Sequence, residues 1–368
     1  MVTQQCEVLV KGMHDTWEKV NVSELRGHLD RHGIACSLDV IKCILRSFFV
    51  KQFHPIQTYF LSFEGSELDD SVDYILKLSS YVKLKNRDTY NIRYWYTHLK
   101  KWMIRAVRTV FEGDGINKHA LILCSPKENI GKSYFCEFLC PLSLISYYNG
   151  NPIISNEKDA QKSLIRNFII NLDELHHFRS NAHVIKAWLS QRYVNIRLPY
   201  QEDEITEPRM ASFVGSTNDV AFLHSDLGHS RWICFEIDGT RYLDQDARSI
   251  LENAWHQAYN LYKLDCKSGE LTREELAEIL DNSDHFITRT TESELIGQYL
   301  APATNESGTF MTTTCILKFL QENMGTSVRL NTKLVGSALR ELGFDRVKKR
   351  TSRGSLYGYF VQFIKTFD

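Results

Sequence analysis

The residue types best suited to chemistry in this sequence lie in the run Asn129-Ile130-Gly131-Lys132-Ser133. It follows an apolar run that reads as a strand, Ala120–Cys124, and precedes a helical pattern from Tyr134 to Cys140. A phosphate-binding loop has this arrangement, because the turn presents backbone N–H groups to an anion at the start of a helix. We expect Lys132 to reach the β- and γ-phosphates of a nucleotide and Ser133 to ligate Mg²⁺. The predicted nucleotide contacts are Asn129, Ile130, Gly131, Lys132, Ser133 and Tyr134.

Two adjacent acids, Asp173 and Glu174, close the next apolar run, which begins at Phe168. A carboxylate at Asp173 can hold Mg²⁺ directly or through water, and Glu174 can orient and partly deprotonate an attacking water. Acids at the end of a strand also occur as ordinary helix caps. Their place downstream of a phosphate-type loop favours the catalytic interpretation.

Two further side chains follow in the same order. Asn218 ends the run that begins at Met210, where an amide can sense the γ-phosphate, although Thr-Asn-Asp is also a common turn sequence. Arg231 opens the run Trp232–Ile237. An arginine at such an edge can enter a neighbouring subunit's nucleotide site, which requires an oligomer; a surface arginine is the competing interpretation.

The elements that must position these residues read as a largely parallel sheet. The four short apolar runs are of the kind that strands buried on both faces show, and the ends of adjacent parallel strands converge on one crevice. A long amphipathic helix is predicted from Arg87 to Phe111. The predicted fold class is therefore α/β.

Composition limits the remaining possibilities. The chain has 368 residues, a formal net charge of -1 and 43% hydrophobic residues, so two or three globular domains are expected and any nucleic-acid contact must come from a local basic surface. Nine cysteines without a C-x-x-C pair favour reduced thiols in a cytosol. No signal peptide or membrane span is recognisable, so we expect a cytoplasmic protein without a membrane partner.

Patterning along the chain suggests four regions. Residues 1–115 read as an N-terminal helical region, 116–265 as the α/β core, 266–307 as an acidic helical connector and 308–368 as a winged-helix-like domain. The last region reads as two helices and a basic hairpin, which would place a recognition helix in a DNA groove and the hairpin along the phosphates. The predicted DNA contacts are Lys348, Lys349, Arg350 and Arg353, and a helical cap with a charged edge is the alternative.

The order of these motifs resembles the virulence-associated protein E family. The likeness covers roughly residues 54–263 and includes the phosphate-type loop, Asn171–Glu174, Arg197–Tyr200, Pro208-Arg209, the run ending at Asn218, and Gly228–Arg231. Members are P-loop ATPases of bacterial mobile elements and prophages, similar to superfamily 3 helicases and related to the AAA+ class. The resemblance implies Walker A positions at Lys132 and Ser133, a Walker B pair at Asp173 and Glu174, a sensor at Asn218 and an arginine finger at Arg231.

The same resemblance implies ATP and Mg²⁺ as cofactors and a hexameric ring that translocates on DNA. No primase domain is recognisable in the sequence, so we expect any priming partner to be separate. Pro126 stands where the loop's first glycine would be, Ser230 where many relatives have an arginine, and the segment 201–207 is acidic where a DNA-gripping hairpin should be basic. Two functions therefore stay open beside each other. One is a helicase-like replication ATPase, and the other is an ATP-controlled DNA-binding or assembly module with little unwinding; a scaffold that binds no nucleotide is a third.

Overall fold

A computed structural model describes residues 9–11, 17–19, 21–45, 47, 54–154, 157–174, 182–196, 205–223, 229–288, 290–324, 329–351 and 354–364. The strands are β1 Leu9–Lys11, β2 Trp17–Lys19, β3 Val82–Leu84, β4 Ala120–Cys124, β5 Tyr148–Asn149, β6 Ile169–Leu172, β7 Tyr193–Ile196, β8 Ile205–Pro208, β9 Ser212–Thr217, β10 Trp232–Thr240, β11 Leu300–Pro302, β12 Thr309–Met311, β13 Arg346–Thr351 and β14 Gly354–Phe363. The helices are α1 Val22–Arg31, α2 Leu38–Leu45, α3 Pro55–Leu61, α4 Tyr74–Ser79, α5 Thr89–Phe111, α6 Lys132–Phe138, α7 Glu157–Arg166, α8 Ala182–Ser190, α9 Gln245–Leu264, α10 Arg273–Ser283, α11 Thr291–Tyr299, α12 Thr313–Met324 and α13 Thr332–Glu341. In the part of the chain so described, no helix has the length and apolarity needed to cross a bilayer.

The main sheet runs through the first half of the fold. Within the described residues six strands pair in the order β3-β10-β4-β9-β6-β5. Four of the five pairings are parallel. The exception is the edge strand β3, which pairs antiparallel with β10. Every residue of β4, β6 and β9 is buried, which is why these segments are continuous apolar runs in the sequence. The predicted α/β class with a parallel sheet is confirmed.

Two long helices cover this sheet and supply much of its core. Asp88 caps α5 by accepting from the backbone N–H of Asn91, and Asp244 caps α9 in the same way from Ala247. Trp102 of α5 is fully buried and its indole N–H donates to the carbonyl of Phe213 in β9, 3.1 Å away. This contact ties α5 to the strand that precedes Asn218. Besides its helices, the region predicted to be helical, residues 1–115, contributes β1, β2 and β3.

The chain forms two compact units, Met1–Val220 with Ser230–Leu280, and Ala221–His229 with Asp281–Asp368. In the second unit β14 is central and pairs antiparallel with β11, β12 and β13. Helices α11, α12 and α13 pack on one face of this sheet, around a core that includes Ile316, Leu320, Val335, Leu339, Tyr359 and Val361. Two helices followed by a hairpin are present where the sequence predicts them. The four-region division stays a prediction.

Candidate functional site

The turn from β4 to α6 is shaped by one glycine. Gly131 precedes α6 with φ +91°, in the left-handed region that favours glycine, and Asn129 also has a positive φ of 55°. A Cβ at Gly131 would collide with the hydroxyl oxygen of Thr240, at the end of β10. At the first position of Gly-Lys-Ser, the turn therefore accommodates only glycine without rearrangement.

The end of β10 holds this turn from one side. The Thr240 N–H donates to the Ile130 carbonyl over 3.0 Å, and Gly239 allows the Ile130 backbone to approach closely. Asp238 forms a 3.1 Å ion pair with Lys127, at the start of the turn. The turn is thus tied to β10, which pairs with the strand that leads into it.

Lys132 points back into its own turn. The side chain is almost fully buried, and its ammonium donates to the backbone carbonyls of Ser125, at 3.2 Å, and Lys127, at 2.7 Å. Burial lowers the pKa of the Lys132 ammonium, while the nearby carboxylates of Asp173 and Glu128 act in the opposite direction. The cation is therefore held at the turn by weak neutral acceptors that a phosphate can replace.

Asp173 brings three segments of the chain together. Its Oδ1 accepts from the hydroxyl of Ser133 at 2.9 Å, from the hydroxyl of Ser216, and from the backbone N–H of Glu174 at 3.1 Å. The two serine hydroxyl oxygens are themselves 3.0 Å apart. Carboxylate and hydroxyl oxygens this close can serve one hard cation such as Mg²⁺, which prefers oxygen ligands and retains several waters.

A single cavity of about 520 Å³ gathers most of the predicted site residues. Its lining includes every residue from Asn129 to Tyr134, together with Asp173, Glu174 and Asn218. This volume lies within the range of about 300–1,000 Å³ that small-molecule and cofactor sites occupy. Glu174 is exposed to the cavity on a backbone with φ +50°, a conformation that residues with side chains seldom adopt. The residue types and the space are compatible with a magnesium–triphosphate complex.

Arg231 does not lie in this cavity. It precedes β10, and the first residue of β10, Trp232, pairs with Ala120, the first residue of β4. Because the two strands are parallel, Arg231 lies at the edge of the sheet opposite to the turn at Gly131. Its guanidinium Nε donates to the Ser190 hydroxyl at 2.9 Å.

Two imidazoles buried near α5 and β4 have strongly lowered pKa values. Burial, assisted by the positive charge of Arg105, lowers the pKa of His98 to about 3 and that of His119 to about 2. Among the described residues neither ring nitrogen of His98 has a hydrogen-bond partner. Both side chains are therefore neutral at pH 7, and they make folding sensitive to acid.

The hairpin of β7 and β8 is anchored by a buried arginine. Arg209 is fully buried, and its guanidinium donates to the carbonyls of Gln191, Ala211, Asn117 and Leu189. Burial lowers its pKa to about 9. Arg209 is one of the residues on which the family resemblance rests, and its contacts here are structural. Of the acidic segment 201–207, residues 201–204 lie outside the described part of the chain.

Sequence reasoning missed Ser216 and Thr240. Ser216 was available as a polar residue near the end of an otherwise apolar strand, one of the signals by which Asn218 was chosen. Thr240 carries no such signal, because its contact with the turn joins the end of β10 to Ile130 and Gly131, which lie far earlier in the chain. Lys348, Lys349 and Arg350 lie on β13 in the second unit, while Arg353 lies outside the described residues.

The fold and the cavity define an α/β protein with a polar site at the carboxyl ends of parallel strands. A model of the virulence-associated protein E-like domain matches residues 72–287, more than half of the chain, and the chain belongs to this family. A search of curated proteins finds no match.

Solved structures show a similar fold. The apo structure of the NrS-1 C-terminal region (305–718) aligns with a TM-score of 0.51 at 12% identity, over 94% of this chain and 92% of that chain. Two A-form apo structures of the same region align with TM-scores of 0.43 and 0.42 at 13% and 12% identity, over 81% and 82% of this chain and 77% and 78% of those chains. At these identities the likeness concerns the fold alone.

Proposed function

We propose that this protein is a Mg²⁺-dependent P-loop ATPase that acts on DNA as a helicase-like replication protein of a mobile element. The observation that carries the proposal is the contact between Ser133 and Asp173 at the mouth of the glycine turn. A hydroxyl from the start of α6 and a carboxylate that follows β6, a parallel strand of the same sheet, are the two oxygen ligands that this class of enzyme offers to Mg²⁺. Family membership supports the same assignment.

The residues of the cavity would divide the work. Ser133 and Asp173 would hold Mg²⁺, which would supply positive charge against the charge that develops on the phosphates. Lys132 exchanges the carbonyls of Ser125 and Lys127 for the β- and γ-phosphates. Glu174 orients the attacking water and accepts its proton, while Asn218 contacts the γ-phosphate.

Arg231 requires a second subunit in this proposal. It lies across the sheet from the phosphate loop of its own chain, so it cannot stabilise the γ-phosphate there without a large rearrangement. In a ring of identical subunits that edge can face the nucleotide of the neighbour. An arginine so placed contributes about 10³- to 10⁵-fold in rate in enzymes of this kind. We therefore propose a homo-oligomer, with a hexameric ring as the family form, and a separate primase partner.

DNA contact is assigned to the second unit as a winged-helix-like module. The helix pair α12 and α13 and the hairpin of β13 and β14 have the order that such modules use. Lys348, Lys349 and Arg350 place three consecutive cations on β13, and Arg353, outside the described residues, is the fourth predicted contact.

One observation favours the second candidate, an ATP-controlled assembly module with little unwinding. Strand β8 of the first unit carries Glu207, and the sequence just before this strand, Gln201–Glu204, contains three more acids. A negative hairpin repels phosphate where a translocating loop should grip it. DNA-stimulated turnover with strand separation favours the helicase, and ATP-dependent assembly without either favours the module.

The test is ATP turnover of the purified protein, with and without single-stranded DNA. We expect Mg²⁺-dependent hydrolysis that falls to background in Lys132→Ala and Glu174→Gln. Lys118→Ala is the matched control, since it removes an exposed ammonium outside the cavity. The assignment fails if either cavity variant hydrolyses ATP like the wild type, or if EDTA leaves turnover unchanged.

A further inference from the structure

The sheet of the second unit has two different faces. Tyr359 and Val361 of β14 point towards the helices and belong to the core. Side chains alternate along a strand, so Phe360 points to the opposite face. Phe310 of β12 is the direct cross-strand partner of Phe360, and its side chain shares that face.

On this second face two aromatic rings lie side by side. The centroids of Phe310 and Phe360 are 5.6 Å apart in an edge-to-face arrangement, and both side chains are partly exposed. Gly358 leaves space for the Phe310 ring to lie against β14, since a Cβ there would come within 2.6 Å of Phe310 Cζ. The Lys349 ammonium is 5.3 Å from the Phe310 centroid and 5.9 Å from that of Phe360. We call Phe310, Phe360 and Lys349 the aromatic platform.

The strand that borders the platform is strongly basic. The segment Arg346–Arg350 contains four cations in five residues and no acid. Such a density of positive charge is complementary to a polyanion, and exposed rings provide surfaces on which bases can stack. Rings and cations together favour an unpaired nucleic-acid strand over an acidic peptide, which would use the charges and leave the rings unoccupied.

We propose that the aromatic platform binds single-stranded nucleic acid, with bases stacked on Phe310 and Phe360 and a phosphate on Lys349. The inference rests on the DNA-binding part of the proposed function and deepens it, because it specifies an unpaired strand and the residues on which its bases stack. The site is distinct from the nucleotide cavity and needs neither ATP nor Mg²⁺.

The test is the affinity of the full-length protein for a fluorescein-labelled 20-nucleotide oligo-dT, measured by anisotropy without ATP or Mg²⁺. Base stacking is worth enough that losing it weakens binding about 5- to 150-fold per base. We expect at least a loss of this size in the double variant Phe310→Leu/Phe360→Leu, which removes both rings. Phe360→Tyr keeps a ring and should retain wild-type affinity. Binding of a duplex of the same length should change much less, because its bases are stacked on one another.

The matched control is Tyr357→Leu. Tyr357 is 53% exposed on the same strand but shares the face of Tyr359, beside Arg346 and Lys348. The proposal is overturned by unchanged oligo-dT affinity in the double variant, by an equal loss in Tyr357→Leu, by an equal loss for duplex, or by polyglutamate competing as well as oligo-dT. A thermal melt of each variant separates these outcomes from misfolding. If the double variant does not fold, the single variant Phe310→Leu decides the matter: the proposal expects a loss of about 5- to 150-fold in oligo-dT affinity, and unchanged affinity overturns it. ATP turnover is measured separately, so failure of the ATPase proposal is distinguishable from failure of this one.

Discussion

Substitution of Gly131 by alanine tests how the nucleotide loop is built. At φ +91° a residue with a Cβ pays about 1–2 kcal/mol in backbone strain. The added methyl group would also collide with the Thr240 hydroxyl, and overpacking of this kind costs about a further 1–3 kcal/mol. We therefore expect Gly131→Ala to lower the free energy of unfolding by about 2–5 kcal/mol.

Urea unfolding followed by tryptophan fluorescence measures this loss, and a double-mutant cycle with Thr240→Ala divides it. Removing the hydroxyl should recover the collision part and leave the backbone strain, so the two substitutions should couple by about 1–3 kcal/mol. Gly65→Ala is the matched control: its φ is +79°, and no atom in the described part of the chain lies within 4 Å of the added Cβ. Equal losses at Gly65 and Gly131, or additivity within about 0.5 kcal/mol, would refute the contact with Thr240.

Three further predictions follow from the structure. The pKa of His98 in the folded protein is about 3, below its unfolded value of about 6.5, so the stability that the neutral imidazole provides is progressively lost as pH falls below about 6.5. The loss amounts to about 1.4 kcal/mol at pH 5.5. His98→Phe should remove that share of the acid sensitivity in urea titrations at pH 7.5 and 5.5, and an unchanged pH dependence would contradict it. Arg231→Ala and Lys132→Ala subunits mixed in equal amounts should restore about one quarter of wild-type turnover. By random assembly this is the fraction of interfaces that combine an intact Lys132 with an intact Arg231 from the neighbour. No recovery in confirmed mixed oligomers would place Arg231 outside the neighbour's site. Substitution of Lys348, Lys349 and Arg350 by glutamate should weaken DNA binding. The slope of log K against log salt concentration should become shallower by up to about 2.7. An unaltered slope would exclude these phosphate contacts.

The parallel sheet was the most predictable part of the fold. Runs such as Ala120–Cys124 are apolar throughout because both faces of the strand are buried. Such a run can be recognised in the sequence before it is known which strands it pairs with. The closeness of Ser133 and Asp173 was predictable for a related reason, since the carboxyl ends of parallel strands lie along one edge of the sheet, although the position of β9 between β4 and β6 was not.

Other features depend on contacts that leave no local pattern. The three residues of β3 join the sheet by pairing with β10, far along the chain, and lie within a region that otherwise reads as helical. The contact of Thr240 with Gly131 joins the end of β10 to a turn far earlier in the chain. The Ser216 hydroxyl could have been recognised, since a polar side chain at the end of a buried strand either caps a turn or faces a site.

A crystal structure with Mg²⁺ and a non-hydrolysable ATP analogue tests the central claim most directly. We expect the triphosphate around the Gly131 turn, Lys132 released from the carbonyls of Ser125 and Lys127, and the metal about 2.1 Å from the Ser133 hydroxyl with Asp173 in contact directly or through water. A nucleotide bound elsewhere, or a metal in contact with neither Ser133 nor Asp173, would contradict the account.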